Sequence, residues 1–582
     1  FCGVLHDWVH YDTSGLAAGD SMALNLAADV PDLESGRHAY SIEVREITGD
    51  NTVTRTISGH RQIFSRADSE FGDRWSLGGL KRIVAGDDGV SVFDGGVGGY
   101  WYEEVAGTDQ FITPLSQFDT LVGEDGVYAI TDPRGNREAF NSLGLLVSTT
   151  DRNGNQTVYD YTDADSDGVA DEILSITDPY EREKLFDYNS DGRLTSLTNR
   201  AKSDNSGGRV TTFEYDAGNL WKIHRPAPDD GITAPVTEFS YDDNGFMTGV
   251  REGSASASPT TMVGDFANRL KGTTNADGSS WSLDAALTVG LVEPGSGAGT
   301  SAENPMTAIT ADQSKTTLTD ERGFETFITF DRYGGQTSRV DALDNTYLWN
   351  RDHHGQVIHE VAPAAGGGTL ETSFTYDDRG NLIQTDYADG THESWAYETS
   401  FNQLTSYTDQ LNRQTVYDID PANGNVLAVT RVVGQLDSQS DETDDVTRSF
   451  TYTDSSNAVL AGLLLTETDP NGNVTEYEYF DTSNSCGCHS GLLKSITVGL
   501  GTAAEATTEY EYDEAGNVSA EIDPLSRRTE YVYDNLDRLI RMTQIDPEAD
   551  PEGSTPETRS PRTLYTYNLK DQLLTEIDPL DN

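Results

Sequence analysis

FTYDDRGNLIQTDYADGTHESWAY, residues Phe374–Tyr397, is the unit that most of this chain repeats. Phe374 and Tyr376 stand two apart and share one face of an extended strand, while Ser373, Thr375 and Asp377 are spaced to face the other way. Asp377, Asp378 and Arg379 lead into Gly380, which accepts positive φ without a Cβ penalty, as a hairpin with a short loop and a bulge requires. Asn381 to Asp386 reads as the return strand. A second turn at Ala388, Asp389 and Gly390 then delivers the chain to Trp395 and Tyr397, where the aromatic pair recurs.

Pairs of the same kind stand at Tyr159 and Tyr161, Phe186 and Tyr188, Phe213 and Tyr215, Phe239 and Tyr241, Phe450 and Tyr452, Tyr477 and Tyr479, and Tyr510 and Tyr512. Tyr376 and Tyr397 are 21 residues apart, as are Tyr512 and Tyr533. A second element keeps phase with the first: Asp151, Asp409, Asp469 and Asp523 each precede a strand tyrosine by eight residues. This is an internal repeat, and it predicts a quasi-linear array in place of a string of separate domains.

TYDDRGNL at 375–382, EYDEAGNV at 511–518, VYDNLDRL at 532–539 and DYNSDGRL at 187–194 resemble the tyrosine-aspartate (YD) repeats of the RHS family. Similar repeats occur in bacterial polymorphic toxins, insecticidal toxin complexes and the animal teneurins, and the match runs from about Tyr128 to Asn582. The resemblance implies an all-β protein in which one antiparallel sheet spirals into a hollow shell. It also implies a non-enzymatic scaffold that encloses or presents a C-terminal polypeptide, in this family often a toxin. The alternative is a cell-surface adhesin or carbohydrate-binding protein, whose partner is a glycan or protein on another cell.

Charge narrows the partners. The chain has 98 acidic and 39 basic residues, a net charge of −59, which repels nucleic acid and anionic lipid and favours cations or basic partners. Aromatics at 9% and acids spread among turns speak against disorder. No apolar run approaches the roughly 18 to 20 residues needed to cross a bilayer, so no membrane-spanning segment is expected. The start at Phe1 and the stop at Asp578–Asn582, the opening phrase of another repeat, read as a fragment. Three cysteines exclude a disulfide-dense scaffold. A secreted or cell-surface location follows mainly from the family resemblance and the low cysteine and lysine content.

Five segments are predicted. Residues 1–66 lack the repeat, and the alternation in Ser21–Leu26, Tyr40–Ile47 and Thr52–Ile57 predicts a small β-sandwich-like segment. Residues 67–127 contain Phe71–Leu80, which resembles the segment that often opens an RHS shell, and are expected to cap the first end of the spiral. Repeats fill 128–250 and 326–582. Between them, 251–325 reads as degenerate repeats with long Gly, Ser and Thr loops, in which Ala286–Val292 is a strand candidate. Gln435–Asp445 and Asp546–Pro561 read as solvated outer loops.

The sharpest local motif is Asp163-Ala-Asp165-Ser-Asp167-Gly168, followed by Asp171 and Glu172. Aspartates at alternate positions converge their oxygens when a glycine turns the backbone, so Asp163, Asp165, Asp167 and Asp171 are candidate ligands for a structural Ca2+. Leu174 stands where an EF-hand carries its bidentate glutamate, leaving Glu172 or a distant carboxylate to complete the shell; an ion-free acidic hairpin loop is the open alternative. Cys486-Gly-Cys488-His489 offers three ligands where zinc wants four, and reads as an inert or oxidised pair in a turn. Phosphate loop, dinucleotide fingerprint and nucleophile elbow are all absent, so no enzyme and no required cofactor are expected. The repeated aromatics read as cross-strand packing worth roughly 0.2–1 kcal/mol per pair. Trp101, Trp221 and Trp281 are left as candidate exposed contacts.

Overall fold

The computed structural model describes the chain except residues 1–7, 18–21, 24–32, 97, 125, 201–208, 230–231, 255, 266–267, 287–298, 311–313, 332, 434–444, 455–460, 482–488, 546–559 and 580–582. Its elements are all β-strands. One antiparallel sheet of 36 strands dominates, pairing in sequence order from Thr120–Glu124 to Leu573–Ile577 with one skip, where Ser280–Asp284 pairs with Thr316–Thr319.

The unit at Phe374 is built as its alternation predicts. Thr369–Tyr376, Leu382–Asp386 and His392–Tyr397 are its strands. The register slips between Thr375 and Tyr376, and again between Ala396 and Tyr397. The same slip precedes Tyr161, Tyr188, Tyr215, Tyr241, Tyr452, Tyr479, Tyr512, Tyr533 and Tyr567. Each slip is a bulge that bends its strand and increases the local right-handed twist, and repeated along the sheet the twist accumulates into a coil.

Successive circuits of that coil meet turn against turn. His354 bonds the Leu115 carbonyl, Asn425 Nδ2 donates to Asn153 Oδ1 at 3.1 Å, and Asn155 Nδ2 donates to the Ala461 carbonyl at 3.0 Å. Arg225 pairs with Asp571 at 2.6 Å. These partners lie 239 residues apart at Leu115 and 346 apart at Arg225, which is the length of one circuit at either end of the seam. Gly491 has a φ of 74°, and a Cβ there would enter the Tyr180 ring on the neighbouring circuit. The strand order is that of a closed barrel. Yet among the described residues no register joins the two ends, and Thr120–Glu124 spends its outer edge on a bridge between Val122 and Gln110. A stacked coil therefore describes the wall better than a ring.

The other row of turns on the first circuit carries the cap. Arg82–Gly86, Gly89–Phe93, Gly99–Glu104 and Phe111–Ile112 form a four-stranded sheet. Its Ile83, Val90, Val92 and Tyr102 bury against Leu121, Ile130, Phe140 and Leu146 of the first wall strands. The backbone leading there runs over successive hairpin turns: Leu194 N donates to Glu70 O at 2.8 Å, Asp73 N to Gly218 O at 2.9 Å, and Ile83 N to Gly144 O at 2.8 Å. Trp75 Nε1 donates to Tyr241 Oη at 3.0 Å.

Residues 1–66 differ from the expected sandwich. Gly36–Thr48 and Asn51–Ile63 form one two-stranded ribbon of 13 residues a side, whose base alone meets the cap sheet, through Arg37 and Asp88 at 3.2 Å and Gln62 and Ser91 at 2.5 Å. The alternation was correctly a strand signal, but it carries no information about what a strand packs against; Ile47, Val53 and Ile57 stay exposed. Met22–Ala23 pairs with Ile309–Thr310 and Tyr11–Asp12 with Met306–Thr307, so the excursion inside 251–325 returns to the N-terminal segment. The strand candidate Ala286–Val292 lies, beyond its first residue, outside the described residues.

Candidate functional site

The wall is held by two side-chain devices. In most pairs the bulge aims the second tyrosine back at the preceding strand, where its hydroxyl donates to a main-chain carbonyl; the buried Tyr215 hydroxyl is an exception and finds no partner among the described residues. Tyr161 donates to Leu146 at 2.8 Å, Tyr188 to Ile173 at 2.7 Å, Tyr376 to Val357 at 3.0 Å, Tyr512 to Leu493 at 2.7 Å and Tyr567 to Leu539 at 2.9 Å. One hairpin is thus stitched to the hairpin before it. Burial pushes the Tyr161 and Tyr188 phenols well above their usual range, which keeps them protonated as donors. Reading the aromatics as packing alone missed this bond. Its signal was present: in the pairs from Phe186 to Tyr241, and at Phe374, Trp395 and Phe450, the first aromatic varies while the second is tyrosine.

The second device is the turn aspartate. Asp377 Oδ1 accepts from the amides of Arg379 and Asn381, and Asn381 Nδ2 donates to Asp377 Oδ2 at 2.9 Å. Where the fifth turn residue is arginine, its Nε takes the amide's place: Arg182 to Asp178 at 2.6 Å, Arg413 to Asp409 at 2.7 Å, Arg527 to Asp523 at 2.6 Å. These bonds favour the ionised carboxylate, and hold Asp409 and Asp523 below the ordinary aspartate range.

The acidic loop opens between strands Gln156–Thr162 and Glu172–Thr177. Carboxylate oxygens of Asp163, Asp165 and Asp167 lie within 4.8 Å of one another, all exposed. Ser166 and Gly168, with φ of 65° and 94°, fold the backbone around them. Asp171 is not among the three; it faces Arg82 of the cap at 3.5 Å. Glu172 Oε2 accepts the Ala164 amide at 2.9 Å. Burial raises the Asp171 and Glu172 carboxyls, Arg82 opposing it at Asp171 and the bonded Ala164 amide at Glu172.

Cys486 and Cys488 lie outside the described residues; His489 bonds the Asp513 carbonyl oxygen at 2.9 Å. The three tryptophans are half-buried instead of exposed. Trp101 lies under Arg37 at 4.3 Å and Trp221 under Lys222 at 3.5 Å.

The RHS Repeat family model matches residues 512–555, where the Tyr512 and Asp513 devices sit. Over 277 residues the chain is 24% identical to double-stranded DNA deaminase toxin A of Burkholderia cenocepacia, covering 45% of this chain and 17% of that protein. Over 213 residues it is 26% identical to probable deoxyribonuclease RhsB of Dickeya dadantii, covering 36% and 12%. The chain carries an RHS repeat.

The chain spans less than a fifth of either relative's length. Solved structures similar to this chain include TcdB2-TccC3, at a TM-score of 0.31 and 15% identity over 83% of this chain and 30% of that one. Another is the Photorhabdus luminescens Tc holotoxin pore, at 0.30 and 13% over 94% and 33%. Superpositions this loose carry no argument about function. The repeats here form one large antiparallel wall, and among the described residues no helix is long and apolar enough to cross a membrane.

Proposed function

We propose that this RHS wall is a non-enzymatic shell that encloses a C-terminal polypeptide until delivery. The stacked seam carries the reading. Circuits joined turn to turn from Leu115 to Asp571, with one rim covered by the cap, bound an interior. A sheet of this many strands, coiled into stacked circuits, surrounds more space than its own side chains fill. Relatives named as a DNA deaminase toxin and a deoxyribonuclease support a toxic content and a secreted or cell-surface route. We further propose that Asp163, Asp165 and Asp167 hold a structural Ca2+, which would stiffen the hairpin that meets Arg82 of the cap. Three carboxylates are fewer than the six to eight oxygens calcium takes, so water would supply much of the shell.

The test is electron microscopy of the protein, with and without whatever the gene encodes after Asn582, combined with limited proteolysis. Hollow particles in which the C-terminal polypeptide resists protease support enclosure. An open curved sheet with every segment cut at equal rates sinks it.

A further inference from the structure

Trp395, Tyr407, Thr415 and Arg431 form one cross-strand row, each paired in register with the next. Trp395 and Tyr407 stack at 5.6 Å with their planes 28° apart. The Tyr407 hydroxyl donates to Glu393 Oε1 at 2.8 Å, and the Tyr387 hydroxyl donates to Glu393 Oε2 at 2.6 Å. The Tyr407 ring is therefore fixed on one face and at its tip. Thr415, next in the row, is short, and beyond it stands Arg431.

Between Tyr407 and Arg431 lies an open slot of about 310 Å3, which Asp409, Arg413, Gln414 and Thr415 complete. That is the lower end of the range for small-molecule pockets. Its walls stand two strand spacings apart, about 10 Å, room for one six-membered ring. The carboxylate in the slot is already engaged, since Asp409 accepts its own turn amides and Arg413. The Tyr407 phenol, pushed up to about 12 by its bond to Glu393, stays neutral.

Arg431 is the unpaired cation of this slot. Elsewhere on the wall Arg448 pairs with Glu467 at 3.0 Å and Arg528 with Glu511 at 2.7 Å. Arg339, Arg541 and Arg562 also carry an Nε without a partner among the described residues, but none of them lines this slot. Among the described residues Arg431 has no carboxylate within ion-pair distance. A guanidinium with free donors opposite a fixed aromatic face is complementary to a carboxylate attached to a ring.

We propose that this slot binds a small carboxylated ring, with the ring laid on Tyr407 and the carboxylate held by Arg431. A uronic acid and an aromatic carboxylate share that chemistry. The site stands apart from the enclosure reading and is tested separately from it.

The experiment is calorimetric titration of the whole protein with glucuronate, benzoate and glucose, repeated on R431Q and on R448Q, whose arginine is already paired. The expected result is saturable binding of glucuronate or benzoate, whichever binds naming the source. Glucose binds at least about tenfold more weakly, the size of one charge-assisted contact. R431Q loses about tenfold or more, and R448Q keeps wild-type affinity. Equal affinity for glucose and glucuronate, an R431Q protein that binds like wild type, or no binding of either carboxylate at millimolar concentration each overturns the proposal.

Discussion

Replacing Tyr188 by phenylalanine removes one oxygen and leaves the ring that packs against the buried cluster of Ile173, Phe186 and Leu194. That oxygen donates to the Ile173 carbonyl at 2.7 Å, and Ile173 is fully buried. Deleting a donor against a buried acceptor costs the net worth of the bond, ~1 kcal/mol, rising to roughly 1–3 kcal/mol where the carbonyl finds no other partner. Tyr567 makes the same bond to Leu539 at 2.9 Å, but its hairpin partner Leu573–Ile577 is exposed, so water can replace the lost hydroxyl there. Amide hydrogen exchange read by mass spectrometry resolves the two sites, since local opening is reported segment by segment. Y188F should speed exchange across Glu172–Thr177 and Glu183–Tyr188 about 5- to 150-fold, the equivalent of 1–3 kcal/mol. Y567F should stay within about fivefold in its own hairpin. Unchanged exchange in Y188F, or equal effects at the two positions, would refute the hydroxyl stitch and return the tyrosines to simple packing.

The turn aspartates set an acid limit. Asp523 has its folded pKa depressed first by Arg527, so its contribution is complete above the unfolded value, about 3.9, and is lost as pH falls through the folded one. Exchange protection in Val518–Tyr533, corrected for intrinsic rates, should therefore drop below about pH 4, and D523N should flatten that drop. Glu70 has the opposite sign: burial beneath the cap raises its pKa, so its charge opposes folding above the folded pKa and the penalty fades as pH falls. E70Q should raise the melting temperature at pH 7 to 8 and lose the advantage toward pH 4; a lower melting temperature at pH 7 would contradict the assignment. If Ca2+ sits between Asp163, Asp165 and Asp167, millimolar CaCl2 should slow exchange in Gln156–Thr177, with the gain absent in D165A and reversed by chelator.

The strands were legible because the information is local. Phe374 and Tyr376 share a face by spacing alone, and Gly380 marks the turn between strands that pair directly. The coil was legible only through family resemblance, since its joints connect residues 239 to 346 positions apart and nothing near Arg225 announces Asp571. Asp171 fitted the acidic spacing, but its partner Arg82 is 89 residues upstream, where spacing arguments do not reach. The same limit explains the turns. Asp178–Arg182 and Asp523–Arg527 carry the same aspartate–arginine clamp at 2.6 Å, on the same row of strand ends. In the first, Tyr180 occupies the third turn position and meets Gly491 of the next circuit. In the second that position is Leu525, 74% exposed, and Leu411 in the Asp409 turn is 71% exposed. One turn motif thus serves as joint or as free rim, and the difference lies in whether another circuit stands over it. At Leu411 and Leu525 the free row of the second circuit keeps an apolar residue at the position from which Tyr180 makes its contact, so these turns differ from that joint in cover more than in chemistry.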